Sequence, residues 1–459
     1  MHDPRVLFLK NATSETPTPL HFHSSITMYE TLLQQFHQLK ALDRTPVADV
    51  RADTFFDLAR FQRFLDRVGN PEKGLPVIHI AGSKGKGSTA VLLGAALQAL
   101  GKRTGIFISP YLKEPTESIF MNGEAISKET FATLLQSNLD VMAKGEARDF
   151  ITSFEMLTVI ALQYFHEQDV DFAVVETGMG GRLDATNVIE SPILSVICPI
   201  EKEHSKLLGN SLTSIAYEKL GIVREETPVV LAHQDHFILE FARSVCMQKH
   251  SPFLSVTGNY EAAILSRSLE GSTFRLKTPK RTFPKIPVGL LGDHQVNNAI
   301  TAMAALEQLF PEFDEKPIFD LWQRVRLPGR FELKRLENRD VILDGAHTVE
   351  SARALRRTLD QLYPNRSMTF LLAFLEDKDI EGFGRILLRP GDTVIITQVD
   401  HPRHMPARLA EERIRAVFPQ NQGICALTNN IRIAWQKALK MGKSNPIVVT
   451  GSFKLLEEF

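Results

Sequence analysis

Val77-Ile78-His79-Ile80-Ala81-Gly82-Ser83-Lys84-Gly85-Lys86-Gly87-Ser88-Thr89 is the stretch on which the fold turns. Val77, Ile78, His79 and Ile80 read as a short buried strand. Gly82, Gly85 and Gly87 break it. From Ser88 onward T-A-V-L-L-G-A-A-L-Q-A-L is a run of strong helix formers. A Gly-rich turn between strand and helix presents backbone N–H groups at a helix N-terminus, which suits an anion. Gly82, Gly85, Lys86, Gly87 and Ser88 form a shortened phosphate loop with a glycine inserted between Lys and Ser. In such a loop Lys86 reaches the terminal phosphates, and Ser88 or Thr89 holds Mg²⁺. The bland alternative is a tight strand-to-helix turn with an incidental lysine. It is disfavoured because Gly, Lys and Ser together are rarer than Gly alone.

Working outward, the strand pattern repeats. Residues 104–109 (T-G-I-F-I-S), 171–176 (D-F-A-V-V-E), 193–198 and 228–232 read as further short strands. Residues 28–39 and 55–68 have helical spacing and precede the first strand as a cover over the cleft. Asn122-Gly123 is a turn signal, and Ser127 with Glu129 and Thr130 opens a helix. Residues 250–290 alternate polar and apolar with Gly and Pro breaks, predicting a small β-excursion. Asp293 opens a long Ala-rich helix. Leu327-Pro328-Gly329-Arg330 reads as a hinge. Beyond it strands at 331–336, 341–344, 369–374, 393–397 and 446–450 alternate with helices near 349–362, 406–418 and 429–442. That alternation predicts a mostly parallel sheet. The expected architecture is α/β. A large phosphate-loop NTPase-like domain with a mostly parallel sheet is followed by a smaller Rossmann-like α/β C-terminal domain. The expected divisions are a loose extension over residues 1–25, a central domain over 26–327 and a C-terminal domain over 328–459.

Composition narrows the function classes. The chain has 459 residues and a formal net charge of −1, which gives no global electrostatic case for nucleic acid or an anionic membrane. Cys198, Cys246 and Cys425 are far apart. They fit a reducing, cytoplasmic setting rather than a metal cluster or a disulfide framework. No apolar run approaches the roughly 20 residues that span a bilayer.

Polar residues recur just past strand ends, where ligands gather in open α/β sheets. Glu176 ends the strand at 171–176 and is the expected second Mg²⁺ ligand. His204 follows the strand at 193–198 and could ligate metal or contact a phosphate, though a lone loop histidine is usually neither. Asp344-Gly345-Ala346-His347 follows a strand of the second domain and could grip a ribose hydroxyl or adenine, or be a plain turn. Lys219, in A-Y-E-K-L-G-I, reads by position as a solvated helix lysine. A phosphate loop, a strand-end acid and a second domain offering polar groups imply a nucleotide held in an interdomain cleft. ATP-driven activation of a small acid is the simplest chemistry they allow.

These residues resemble the folylpolyglutamate synthase/dihydrofolate synthase family of the Mur-ligase superfamily. Besides the phosphate loop, the matching segments are Ser109-Pro110; Glu176 with Gly178 and Gly180-Gly181-Arg182-Leu183-Asp184-Ala185-Thr186-Asn187; Glu203-His204 with Leu208-Gly209; and Glu218-Lys219 with Gly221-Ile222. Further along come His294-Gln295 with Asn298-Ala299, Pro328-Gly329-Arg330-Phe331, Asp344-Gly345-Ala346-His347, Asp377-Lys378-Asp379 and Gly451-Ser452-Phe453.

The resemblance implies ATP-dependent amide formation through an acyl phosphate. L-glutamate would be joined to dihydropteroate or to the glutamate tail of a reduced folate, in a monomer without nucleic-acid or membrane partners. By resemblance Gly82, Ser83, Lys84, Gly85, Lys86, Gly87, Ser88 and Thr89 cradle ATP. Ser88 and Glu176 hold one Mg²⁺, and His204 helps with a second. Lys219 matches the lysine that the family carbamylates into a metal-binding carboxylate, which reverses its bland reading. Asn298, Arg330, Asp344 and His347 clamp ATP across the hinge. The sequence departs from the family pattern at Lys84 (usually Asn), Tyr111 (His), Ser118 (Arg), Glu203 (Asp) and Thr348-Val349 (Asn-Pro). Most of these fall on the acceptor side. A ligase for another carboxylate, or an ATP-binding protein that has lost catalysis, are the competing expectations.

Overall fold

The structure is a computed structural model that describes residues 7, 23–42, 57–145, 150–202, 205–336, 339–418, 424–426, 430–441 and 444–459. Three sheets carry the fold. The first has eight strands: β1 (Val77–Ala81), β2 (Thr104–Phe107), β3 (Ile119–Met121), β4 (Glu124–Ala125), β5 (Phe172–Glu176), β6 (Leu194–Ile197), β7 (Val229–Leu231) and β8 (Phe253–Ser255). Their spatial order is β4-β3-β2-β5-β1-β6-β7-β8, and β2 to β8 run parallel across β5 and β1. Only the β3–β4 edge is antiparallel. All five residues of β1 are buried, as a strand covered on both faces requires.

The order of strands positions the chemistry. β1 lies between β5 and β6, with Ile80 paired to Glu176 in register. The phosphate loop and Glu176 therefore leave the sheet side by side, at its carboxyl edge. The helix Lys86–Ala99 that follows the loop is buried on nearly every side. It packs between the sheet and the helix Asp293–Leu309, and Trp322 Nε1–H donates to Leu92 O at 2.8 Å beneath it.

The expected β-excursion is an antiparallel three-stranded sheet of β9 (Glu261–Ser268), β10 (Gly271–Lys277) and β11 (Thr282–Val288), in the order β11-β10-β9. The third sheet contains β12 (Glu332–Leu336), β13 (Arg339–Leu343), β14 (Thr369–Leu372), β15 (Thr393–Ile396), β16 (Ile424–Ala426) and β17 (Ile447–Thr450). Its order is β12-β13-β17-β14-β15-β16, parallel apart from the antiparallel edge strand β12.

Three differences from the sequence reading have physical causes. The broken polar stretch after residue 111 contains the β3–β4 hairpin, turned by Asn122 at φ +48° and Gly123 at φ +79°. β16 was not expected, because three residues are too short to show a period. Leu7, inside the stretch expected to be loose, is fully buried. Its N–H donates to Gly123 O at 2.9 Å and its carbonyl accepts from Arg326 N–H at 2.9 Å, so an apolar side chain and two backbone bonds fix it. Among the described residues, no helix is long and apolar enough to cross a membrane.

Candidate functional site

The phosphate loop is held by its glycines and by the strand beside it. Gly82 has φ +150°, and a Cβ there would lie 2.5 Å from Cys198 Cβ. Gly85 has φ +81° and caps the following helix; a Cβ there would lie 2.2 Å from Asn298 Oδ1. Both positions need glycine, for backbone conformation and for space. Ser83 N–H donates to Pro199 O at 2.8 Å, and its hydroxyl donates to Glu201 O at 3.0 Å. The first intrahelical bond runs from Thr89 N–H to Gly85 O at 2.8 Å. The N–H groups of Lys86, Gly87 and Ser88 thus lie ahead of the helical ladder, the arrangement that receives an anion.

Glu176 stands next to this loop. Its carboxylate is 3.7 Å from Lys86 Nζ and accepts Ser109 N–H at 3.0 Å. Burial pushes the carboxyl up, and Lys86, the Ser109 N–H and Arg330 pull the other way. A carboxylate so buried is stabilised by an added cation. Gly87 leaves room beside it, since a Cβ there would sit 3.1 Å from Glu176 Oε2.

The loop offered two hydroxyls for a metal, and the geometry separates them. Thr89 is fully buried, with Cys198 Sγ 3.5 Å from its Oγ1, on the core side. Ser88, one residue earlier in the first turn of the helix, carries a hard oxygen of the kind that suits Mg²⁺. Among the described residues, no group of three or more His, Cys, Asp or Glu gathers for a metal. His204 lies outside the described residues. Lys219 is not the solvated helix lysine its position suggests. It is 1% exposed, and its ammonium donates to Gly82 O at 2.9 Å, under the phosphate loop.

The second wall comes from the long helix and the hinge. Asn298 sits against Gly85 and is oriented by its Nδ2–H bond to Gln295 Oε1 at 2.9 Å. Asp344 follows β13. It accepts Phe331 N–H at 2.8 Å and Ala346 N–H at 2.9 Å, so the hinge and the turn share one carboxylate. Gly345 N–H in turn donates to Gly329 O at 2.9 Å. Arg330 is half-buried; desolvation lowers its pKa, while Asp344 and Glu176 favour its charge. The charges of Asp344 and Glu176, one from each sheet, thus both act on its guanidinium. His347 Nδ1–H donates to Gly345 O at 2.8 Å, leaving Nε2 as an acceptor. Burial pulls this histidine down to about 4, and Lys378, Lys84 and Arg330 add to the effect. The charge of Lys84 on the loop thus reaches His347 of the second domain.

Two groups were not assigned a role from sequence. Phe453 underlies the second wall: Arg330 stacks on its ring, His347 meets it edge-on with centroids 6.2 Å apart, and a Cβ on Gly345 would lie 2.2 Å from it. His79 Nε2–H donates to Thr186 Oγ1 at 2.8 Å, and Thr186 donates to Asp184 Oδ1 at 2.6 Å. Asp184 also accepts Met179 N–H at 2.9 Å. This chain fastens the Gly-rich loop after Glu176 to β1. The G-G-R-L-D-A-T-N run was legible as a motif, but its buried link to His79 was not.

Comparison with known proteins bears on this geometry directly. Residues 80–306 match the Mur ligase middle domain, and residues 329–459 match the C-terminal domain of dihydrofolate synthetase. A probable dihydrofolate synthetase of Schizosaccharomyces pombe is 32% identical over 410 residues, 87% of this chain and 96% of that protein. The chain belongs to the folylpolyglutamate synthase/dihydrofolate synthase family. It is an ATP-dependent glutamate ligase of that family. The dihydrofolate synthase/folylpolyglutamate synthase of Bacillus subtilis is also 32% identical, over 87% of this chain and 93% of its own. Among solved structures, a Mycobacterium tuberculosis folylpolyglutamate synthase complexed with ADP and AMPPCP superposes with a TM-score of 0.83. It is 30% identical and the match covers 95% of this chain and 98% of that one. A bifunctional folylpolyglutamate synthase/dihydrofolate synthase with Mn, AMPPNP and L-glutamate bound gives 0.75 at 26% identity, covering 87% of this chain and 92% of its own.

Proposed function

We propose that this ligase joins L-glutamate to dihydropteroate, to the glutamate tail of a reduced folate, or to both, using ATP and Mg²⁺ in the cleft between residues 26–327 and 328–459. The observation that carries the reading is the convergence on one cleft of Lys86, Glu176 and Asn298 from one side and Arg330, Asp344 and His347 from the other. The Mn, AMPPNP and L-glutamate held by the related structure support the same ligand classes here.

An acceptor carboxylate oxygen attacks the γ-phosphorus and the bond to ADP breaks. The glutamate amine then attacks the acyl-phosphate carbonyl, an amide forms, inorganic phosphate leaves and the nitrogen loses a proton. Both steps are governed by positioning and charge neutralisation. Lys86 and the N–H groups of residues 85–88 take up charge on the transferred phosphoryl group. Asn298 fixes the loop against the long helix. Neutral His347 offers Nε2 to a ribose hydroxyl, and Asp344 holds the hinge to the turn. Ser88 and Glu176 would hold Mg²⁺, with His204 at a second ion, and the metal supplies charge neutralisation on the phosphates. Carbamylation of Lys219 would turn its ammonium into a carboxylate for that second ion. The free, buried Cys198 and Cys246 fit a reducing, cytoplasmic setting.

The test is incubation with ATP, Mg²⁺ and L-glutamate, adding dihydropteroate in one tube and tetrahydrofolate in another, with Lys86→Ala as control. Product masses report which acceptor gains glutamate. ATP binding without a gain in either tube would contradict the folate reading.

A further inference from the structure

Asp293 is the first residue of the long helix Asp293–Leu309, and the nucleotide groups proposed above make no use of it. Its carboxylate collects three partners from two other parts of the fold. Arg267 of β9 forks onto it, with Nε at 2.7 Å from Oδ1 and a terminal nitrogen at 3.2 Å from Oδ2. Arg357 and Gln361, on the helix Val349–Leu362 beyond the hinge, reach Oδ2 at 3.1 and 2.9 Å. Only 16% of the Asp293 side chain is exposed. The surroundings are equally close. A Cβ on Gly292 would come within 2.8 Å of Thr358 Oγ1, and Leu291 packs into the core of the C-terminal sheet.

The two helices tied here are the two that carry the cleft. One turn beyond Asp293, the first helix places Asn298 against the phosphate loop. The second helix starts just after the Asp344–His347 turn. We infer that Asp293 is a positioning residue, a carboxylate latch to Arg357 and Gln361 that sets how closely the Asp344–His347 turn approaches the phosphate loop. Arg267 orients the carboxylate from within the first part of the chain, and Arg357 with Gln361 transmit its position to the second. A charge-assisted fork with a third and fourth donor fixes direction as well as distance. For its effect on catalysis the latch rests on the nucleotide assignment above; for its effect on shape it does not.

The experiment compares Asp293→Asn, Arg357→Gln and Arg267→Gln by small-angle X-ray scattering of the nucleotide-free protein and by steady-state kinetics. Asp293→Asn and Arg357→Gln are each expected to enlarge the radius of gyration and raise KM for ATP about fivefold, with kcat changed less than about twofold. The double variant is expected to be no worse than Asp293→Asn alone, because both remove one interaction. A merely structural role would lower the melting temperature and leave KM unmoved. A wild-type radius in both single variants overturns the latch. So does an enlarged radius with unchanged KM, or Arg267→Gln reproducing Asp293→Asn while Arg357→Gln is silent. If the wild-type protein makes no glutamyl product, the proposed function fails, and the scattering still decides the latch.

Discussion

The guanidinium carbon of Arg330 lies 4.4 Å above the ring centroid of Phe453, joining the hinge to the last helix of the C-terminal sheet. Arg330 is half-buried and senses both Glu176 and Asp344, so where this stack holds it decides where positive charge enters the cleft. Phe453→Leu keeps much of the volume and removes the π face. It is expected to raise KM for ATP about fivefold, on the order of 1 kcal/mol for a desolvated cation–π contact. Phe453→Tyr should restore the wild-type value.

Gly85→Ala addresses the phosphate loop. The new methyl meets Asn298 Oδ1 at 2.2 Å, on a backbone with φ +81°. The conformation alone costs about 1–2 kcal/mol. The larger effect is displacement of Asn298, so ATP binding measured by calorimetry should weaken at least about tenfold.

Glu176→Gln separates function from stability. The buried carboxylate is raised by burial, so its charge is held at a cost that the amide does not carry. The variant should therefore melt no lower than wild type, while kcat falls about 100-fold and more Mg²⁺ is needed for half-maximal rate.

Two histidines, His79 and His347, are driven down by burial, to about 3 and about 4. Each should be neutral at pH 5 in an NMR titration of the folded protein. The sign of the linkage follows. The unfolded chain takes up a proton near pH 6.5 that folded His347 refuses until about pH 4. Its contribution to stability is full above pH 6.5 and is lost as pH falls from there toward 4. Relative to His347→Gln, wild type should lose on the order of 1 kcal/mol per pH unit across that window, measured by chemical denaturation.

Much of the site was legible because it is local. Strand, glycine turn and helix between Val77 and Ala99 lie in one continuous stretch, and the Asn122-Gly123 turn and Ser127 cap each depend on neighbouring residues. Ser127 does accept the N–H of Thr130 at 3.0 Å. What stayed hidden depends on long-range closure. Lys219 looks exposed by helical position, yet its partner is Gly82 O, 137 residues away. Phe453 and Asp293 acquire meaning only when segments far apart in sequence meet across the hinge. Leu7 is fixed by a hairpin turn and by Arg326, neither foreseeable from a Ser/Thr/Pro-rich N-terminus.

The central claim is that an acceptor carboxylate is phosphorylated before glutamate attacks it. Dihydropteroate, or a reduced folate if that is the acceptor used, carries ¹⁸O in the reacting carboxylate, and turnover with ATP, Mg²⁺ and L-glutamate is followed by mass spectrometry of the released phosphate. The account predicts one ¹⁸O transferred to phosphate for each amide formed. Amide formation with unlabelled phosphate would contradict it.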